Sequence, residues 1–479
     1  MTIEYIEGSA MLKKTKIVAT IGPATETPEM MHSLVKQGID VMRLNFSHGS
    51  HEEHRGRIET MRKVAHAQGR NIAILLDTKG PEIRTMKLVN GEEVALRSEE
   101  VLILTTDETH VGDYNRVAVT YKNLTEDVNV GNIILLDDGL ISLEVLKIEG
   151  NNVYCFIQNS GFLGENKGVN LPGIHVNLPA LSQKDKADIK FGCEMNVDFI
   201  AASFVRSAHD VQAVRDALKE YGGETIQIIS KIENDEGIRN FDEILALSDG
   251  IMVARGDLGV EIPIEDVPFA QKKMIEKCNR AGKIVITATQ MLDSMIQNPR
   301  PTRAEAGDVV NAIIDGTDAV MLSGETAKGK YPQEAVRTMA KICQRADYSS
   351  TLTSAHKHLS LREVIASGTV RTADDIGAKA IVILSESGET ARHIKKLKPN
   401  AMVVAITTNK KTAAQLSLAR GVHSILIDKI KDVKDFQERA IQLVSSFDFI
   451  LDQDIVVLTS GTNSAIGITN LMKIEVITK

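Results

Sequence analysis

Tryptophan is absent from the 479 residues, and aromatic residues together make up 4%. Stacking platforms for nucleic-acid bases are therefore not evident. Positive charge is outnumbered, with 56 Lys and Arg against 64 Asp and Glu and a net charge of −8. That balance argues against a phosphate-tracking surface, and so against nucleic acid as a partner. The four cysteines, Cys155, Cys193, Cys278 and Cys343, are scattered and form no C-x-x-C pair. They read as reduced, buried thiols of a cytoplasmic protein. No apolar run approaches the length of a membrane helix, so no membrane partner is expected. The opening MTIEYIEG lacks a basic-then-apolar signal design, and residues 1–10 read as a short extension. There is no G-x-x-x-x-G-K-[ST] loop, kinase glycine loop, G-x-S-x-G elbow or His–Cys cluster. A nucleotide phosphate would need another cradle.

What is present is a rhythm of short apolar run, turn and amphipathic segment. The runs are 15–21, 41–46 and 71–77, then, after a gap, 197–204, 226–232, 250–255, 283–289 and 318–323. Val267, Ala270, Met274, Cys278 and Ala281 recur at helical spacing between two of them, as do Val211, Val214 and Leu218. Eight apolar strands separated by helices predict a parallel sheet, and eight is the number that closes a (β/α)8 TIM barrel. An open doubly wound sheet is the runner-up. Residues 82–180 hold short β-type runs punctuated by Gly, Asn and Asp, and read as an all-β domain, a β-barrel, inserted as a lid at the strands' C-terminal ends. Residues 352–479 alternate strands and helices as a separate open-sheet α/β domain, leaving 11–81 and 181–351 for the barrel.

Barrel chemistry gathers where strands end and βα loops begin. There the sequence places Arg43, Asn45, Ser47 and His48, then Asp77, Thr78, Lys79 and Arg84. Ser203 follows, with Lys231 and Glu233, Asp257, Thr289, and Ser323 with Glu325. The strands' N-terminal ends show no such set. Lys231 and Glu233, two apart in IISKIEN, project from one side of a strand tip. Glu233 and Asp257 are hard oxygen donors suited to Mg2+ or Mn2+. Arg43, Arg84 and Lys231 suit a phosphoryl group in transfer. Asn45, Ser47, Asp77 and Thr78 suit a large, weakly charged cation as well as plain hydrogen bonding. In ARGDLG, Gly256 and Gly259 let backbone N–H groups approach an anion. His48 reads most simply as a loop histidine.

The runs KIVATIGP, VMRLNFSHG, LLDTKGPEIRT, ENKGVNLPG, IISKIENDEG, ARGDLGVE, TATQMLDSM, PRPTRAEAGDV and DAVMLSGETAKGKYP closely resemble the pyruvate kinase family, in its order and over nearly the whole chain. The resemblance implies a three-domain enzyme that moves the phosphoryl group of phosphoenolpyruvate to ADP, giving ATP and an enolate that is then protonated. It implies Glu233 and Asp257 at Mg2+ or Mn2+, and Lys231 and Arg43 at the moving phosphoryl group. Asn45, Ser47, Asp77 and the Thr78 carbonyl are implied at K+, and Thr289 with Ser323 on the protonation route. The backbone of Ala254, Arg255, Gly256 and Asp257 is implied at the substrate carboxylate. Asn45, His48, Arg84 and Lys167 are implied at the nucleotide. A homotetramer is implied too, with a phosphometabolite effector at Ser385, Ser387, Gly388 and Thr390. Glu82 resembles K+-dependent members, K+-independent ones tending to carry lysine. Glu386 and Glu389 stand where fructose-1,6-bisphosphate-regulated animal members place Lys and Arg, so a phosphosugar or nucleotide monophosphate is expected to activate at least as well.

Two rivals share parts of this set. A metal-enolate C–C lyase would use Glu233, Asp257 and a carboxylate nest, without Lys231 beside the metal, the K+ set or the lid. A non-catalytic sensor on this fold would be expected to lose one of Lys231, Glu233, Asp257 or Thr289, and none is lost.

Overall fold

A computed structural model of the chain describes residues 13–349, 361–460 and 471–479. The extension expected at 1–10 and most of the loop 460–467 lie outside the described residues. Eight parallel strands form a closed barrel: Lys16–Thr20, Val41–Asn45, Ala73–Asp77, Phe199–Ala202, Gln227–Ile232, Gly250–Ala254, Ile284–Ala288 and Ala319–Leu322. Each pairs with its neighbours in chain order, and the first closes on the eighth. The barrel, rather than an open sheet, is thus the fold of this part.

Side-chain alternation sorts each strand into two environments. Ile17, Ala19, Met42, Leu44, Ile74, Leu76, Ile200, Ile228 and Ile251 face outward into one core with the helices. Among these helices are Ala208–Glu220, Val267–Ala281 and Pro332–Ser349. Val18, Val41, Leu75, Ala201, Ile229, Met252, Ile286 and Met321 point inward and fill the barrel.

The lid lies between the third and fourth barrel strands. It is a six-stranded sheet with a two-stranded companion, one short α-helix, Leu124–Asp127, and a 3-10 turn at Val89–Gly91. Its two edges are not joined by a full strand as a regular β-barrel would require. Instead, single bridges from Arg84 to Gly168 and from Thr85 to Val119 link them.

The C-terminal domain is a five-stranded sheet, parallel except for its last strand Leu471–Val476. One of its helices, Lys410–Leu416, is short. The chain goes on in tighter i→i+3 turns, with Ser417, Leu418 and Ala419 donating to Ala414, Gln415 and Leu416. Those turns bring Leu418 into the barrel's inner core, so this domain plugs the N-terminal end.

That end also corrects the expectation of a bland face. Asp40, Asp198, Asp249 and Asp318 immediately precede the second, fourth, sixth and eighth strands. Each accepts a backbone N–H from the strand before: Ile17 at 2.9 Å, Ile74 at 2.8 Å, Ile228 at 2.9 Å and Val285 at 3.0 Å. They are structural staples, three of them also meeting lysines: Lys13 on Asp40, Lys411 on Asp198 and Lys395 on Asp318.

All four cysteines are free, and Cys193 alone is only partly buried. Burial pushes the Cys155 thiol up to about 12 and raises Cys193, Cys278 and Cys343 as well. A thiolate is the reactive form. Limited alkylation of the native protein at pH 8 should therefore mark Cys193 first, with the others labelled only after unfolding. Peptide mass spectrometry showing Cys155, Cys278 or Cys343 modified first would contradict this burial.

Candidate active site

The inward positions turn polar in their last turn toward the C-terminal mouth. Val18 is followed by Thr20, Val41 by Arg43 and Asn45, Leu75 by Asp77, Ala201 by Ser203, Ile229 by Lys231 and Glu233, and Met321 by Ser323. The pleat that packs the barrel thus aims these side chains at one another.

Asp77 and Lys231 are the hub. The Asp77 carboxylate takes Arg43 Nε at 2.6 Å on Oδ2, and Lys231 Nζ at 3.1 Å on Oδ1. Lys231 also reaches Glu233 Oε1 at 2.9 Å and Ser203 Oγ at 2.7 Å. Ser203 Oγ donates to the Thr78 carbonyl at 2.7 Å, and Arg43 Nη1 donates to Thr20 Oγ1 at 2.8 Å. Glu233 Oε2 accepts the Phe204 N–H at 2.6 Å, where the chain adopts φ 55°.

Burial works against charge here, and the partners decide the outcome. It pulls Lys231 down, but Asp77 and Glu233 outweigh it and its pKa is raised. It pushes Asp77 up, but Lys231 and Arg43 hold it below the usual range. Glu233 is the exception: burial carries it up to about 7 against the pull of Lys231, with Asp257 adding repulsion. A second cation beside Glu233 and Asp257 would relieve both.

The donor chemistry fits that reading. Two carboxylates with open positions suit a hard divalent ion completed by substrate and water. Among the described residues no group of three or more His, Cys, Asp or Glu could enclose an ion without such help. Asn45 and Asp77 are register partners on adjacent strands. Asn45 Oδ1 accepts the Ser47 N–H at 3.1 Å, which orders the oxygen-rich turn beside the Thr78 carbonyl.

The sixth and seventh strand ends are built differently from expectation. ARGDLG is not an open glycine nest: Arg255–Glu261 is a short helix, and the Gly256 N–H donates to Thr289 Oγ1 at 2.8 Å. The Arg255 side chain turns from the mouth to Asp308 at 2.6 Å and the Thr289 carbonyl at 2.7 Å. Arg255 can therefore serve a ligand only through its backbone. Its grip holds Thr289 at φ 66°, a left-handed position that strains a β-branched residue. Ser323 Oγ is buried without a hydrogen-bond partner, and its N–H donates to buried Glu325 at 2.7 Å.

The nucleotide set is more dispersed. A cleft of about 110 Å3 runs between lid and barrel, bordered by Arg84, Gly168, Asn170 and Asp257. Arg84 is held by Glu82 at 2.7 Å, Lys167 by Asp137 at 3.0 Å, and His48 is exposed. Gly80 joins strand to lid at φ +76°, and a Cβ there would lie 2.7 Å from that of Ser203. At the loop expected to take an effector, Gly388 caps helix Glu389–Lys396 at φ 76°, and Ser387 Oγ accepts the Glu389 N–H at 3.4 Å. Ser385 Oγ is buried without a partner. Glu386 points away from this loop: it accepts the Thr408 N–H at 3.1 Å and the Thr408 hydroxyl at 2.8 Å.

Sequence reading left Thr20 out and gave Ser203 no role. The inward parity from Val18 and Ala201 was the available signal for both. The Phe204 amide had none, because it depends on a positive φ at a non-glycine residue.

Comparison with known proteins gives a consistent result. Residues 12–336 match the family model "Pyruvate kinase, barrel domain", and residues 363–475 match "Pyruvate kinase, alpha/beta domain". A curated pyruvate kinase of Clostridium acetobutylicum is 47% identical over 473 residues, covering 97% of this chain and all of that protein. Those of Sporosarcina psychrophila and Bacillus licheniformis are each 50% identical, over 97% of this chain and 81% of theirs. A crystal structure of a Cryptosporidium parvum pyruvate kinase superposes with a TM-score of 0.91 at 41% identity, covering 97% of this chain and 96% of that one.

Proposed function

The chain belongs to the pyruvate kinase family, a family of phosphotransferases, and on that premise we propose how its barrel mouth moves the phosphoryl group of phosphoenolpyruvate to ADP. The observation that carries the proposal is the buried Arg43–Asp77–Lys231–Glu233 chain, with Asp257 beside it. In phosphoryl transfer the protein mainly positions reactants and neutralises charge on the equatorial oxygens. Lys231 and Arg43 are the cations for that task, and Asp77 holds both in register. Glu233 and Asp257 hold Mg2+ or Mn2+, which when bound supplies Lewis-acid stabilisation to the anionic product. Asn45, Ser47, Asp77 and the Thr78 carbonyl hold K+. Backbone of Ala254–Asp257 receives the substrate carboxylate. Thr289 Oγ1, with Ser323 at the end of the neighbouring strand, lies on the path of the proton delivered to the enolate. Asn45, His48, Arg84 and Lys167 approach ADP as the lid closes over the cleft and excludes water. A homotetrameric, cytoplasmic enzyme completes the proposal by family relation.

The test is an omission series with the purified chain and pyruvate as readout. Withholding Mg2+, or replacing K+ with tetramethylammonium, should each abolish turnover. Full activity under either omission would contradict the ion assignments.

Glu82 bears on the second omission. Its carboxylate neutralises Arg84 and, at 3.8 Å, Lys79. Glu82→Lys places an ammonium near the site and should raise K+-free activity about tenfold or more over wild type, although it also crowds two cations. Unchanged K+-free activity would remove Glu82 from this role.

At the effector loop we propose a phosphorylated metabolite on Ser385, Ser387, Gly388 and Thr390, at a helix N-terminus. Thr408 brings no positive charge to Glu386, so the charge bias against a bisphosphate rests on Glu386 and Glu389 together. Phosphoenolpyruvate saturation curves should sharpen with a monophosphosugar or nucleotide monophosphate at least as much as with fructose-1,6-bisphosphate. Ser387→Ala/Thr390→Ala should remove the effect. An activation untouched by that double change would move the site elsewhere.

A further inference from the structure

Between the barrel's N-terminal end and the C-terminal domain lies a cavity of about 40 Å3 that the catalytic account does not use. Lys14, Asp318 and Asp347 line it from the barrel side, and Lys395, Lys398 and Arg420 from the C-terminal domain. Both carboxylates are already satisfied. Asp347 accepts the Lys14 and Thr15 N–H groups, the Thr15 hydroxyl and Arg420 Nη2. Asp318 accepts the Val285 and Arg420 N–H groups and Lys395 Nζ.

Two lysines are left without a carboxylate. Lys14 Nζ donates to the Pro399 and Asn400 carbonyls at 3.0 and 2.7 Å and keeps a third N–H. Lys398 Nζ has no hydrogen-bond or ion-pair partner among the described residues and lies 3.1 Å from where a Gly316 Cβ would stand. Arg420 Nε is buried with no partner. Burial, with Arg420 next in effect, lowers the pKa of both Lys14 and Lys398. Lys398 also occupies φ 54°, where the backbone favours glycine.

We propose that this cavity binds a tetrahedral oxyanion, the phosphate group of inorganic phosphate or of a short phosphate ester, between Lys14, Lys398 and Arg420. A dianion matches the two unpaired ammonium groups, and three donors from three chain segments suit a tetrahedral rather than a planar ligand. Bound there, it ties the barrel's N-terminal end to the C-terminal domain, far from the mouth. The proposal stands apart from the catalytic reading.

The test compares wild type with Lys398→Gly, which removes the cation and fits the left-handed backbone, so folding is not at risk. Melting temperature is followed against inorganic phosphate and, separately, glycerol 3-phosphate. Phosphate bound at the mouth or the effector loop contributes equally to both proteins, so their difference reports this cavity. The expected result is a dissociation constant at least about tenfold weaker in the variant for one probe or both, and the probe that shows it identifies the source. Crystals soaked in selenate should show an anomalous peak between Lys14, Lys398 and Arg420. Equal phosphate-dependent shifts in the two proteins, or selenate found only elsewhere, would overturn the site.

Discussion

Lys231→Met should lower kcat for ATP formation by about 10³–10⁵, the range of a positioned cation on a transferring phosphoryl group. The side chain is 11% exposed and touches Asp77, Glu233 and Ser203, so no other residue can swing into its place. The change also strips a counter-ion from two buried carboxylates, which ordinarily costs about 3–5 kcal/mol of stability. Two features soften that cost. Asp77 keeps Arg43 at 2.6 Å, and Glu233, already carried up to about 7, can take up a proton. The variant should therefore fold, with a lower melting temperature. Its enolate-protonation half-reaction, followed as solvent exchange of the pyruvate methyl protons, should survive better than phosphoryl transfer. Retention of more than about a tenth of wild-type kcat in a folded variant would remove Lys231 from the transfer step.

Glu233→Gln should be the second-largest loss, and it acts through the ion. Glutamine keeps an acceptor for the Phe204 N–H and removes only the charge. Even outer-shell changes at metal sites cost 10–100-fold in affinity, so loss of a ligand charge should weaken Mg2+ or Mn2+ binding by about 100-fold or more. Manganese binding read by water-proton relaxation gives that number without reference to turnover. Stability should change little, because a buried carboxylate with a raised pKa is exchanged for a neutral amide of the same shape. Wild-type manganese affinity in the Gln variant would shift the metal site away from Glu233.

Much of this site was legible because barrel strands enforce a period of two. Once Val41, Leu75 and Ile229 are inward, Arg43, Asp77 and Lys231 must be inward as well, and no tertiary information is needed. The interrupted rhythm after Asp77 likewise announced the inserted lid, though not its closure by single bridges at Arg84 and Thr85. What stayed hidden depends on contacts between distant segments. The Arg255 side chain turns toward Asp308, 53 residues away in sequence, and nothing local to ARGDLG encodes that choice. The left-handed Phe204 and Thr289 carry no glycine or asparagine to signal them. Asp40, Asp198, Asp249 and Asp318 went unread, Asp198 and Asp318 inside runs taken as strand, although in the structure each stands one residue before its strand. At such a position a carboxylate looks like turn chemistry until the neighbouring strand's N–H groups are in place.

The central claim is that this mouth passes a phosphoryl group from phosphoenolpyruvate to ADP without surrendering it to water. The most direct measurement is the stoichiometry of pyruvate and ATP formed by the purified wild-type chain with phosphoenolpyruvate, ADP, Mg2+ and K+. The account predicts one ATP for each pyruvate and loss of both products together in Lys231→Met. Pyruvate released with inorganic phosphate and no ATP, or no turnover by the folded wild type, would contradict it.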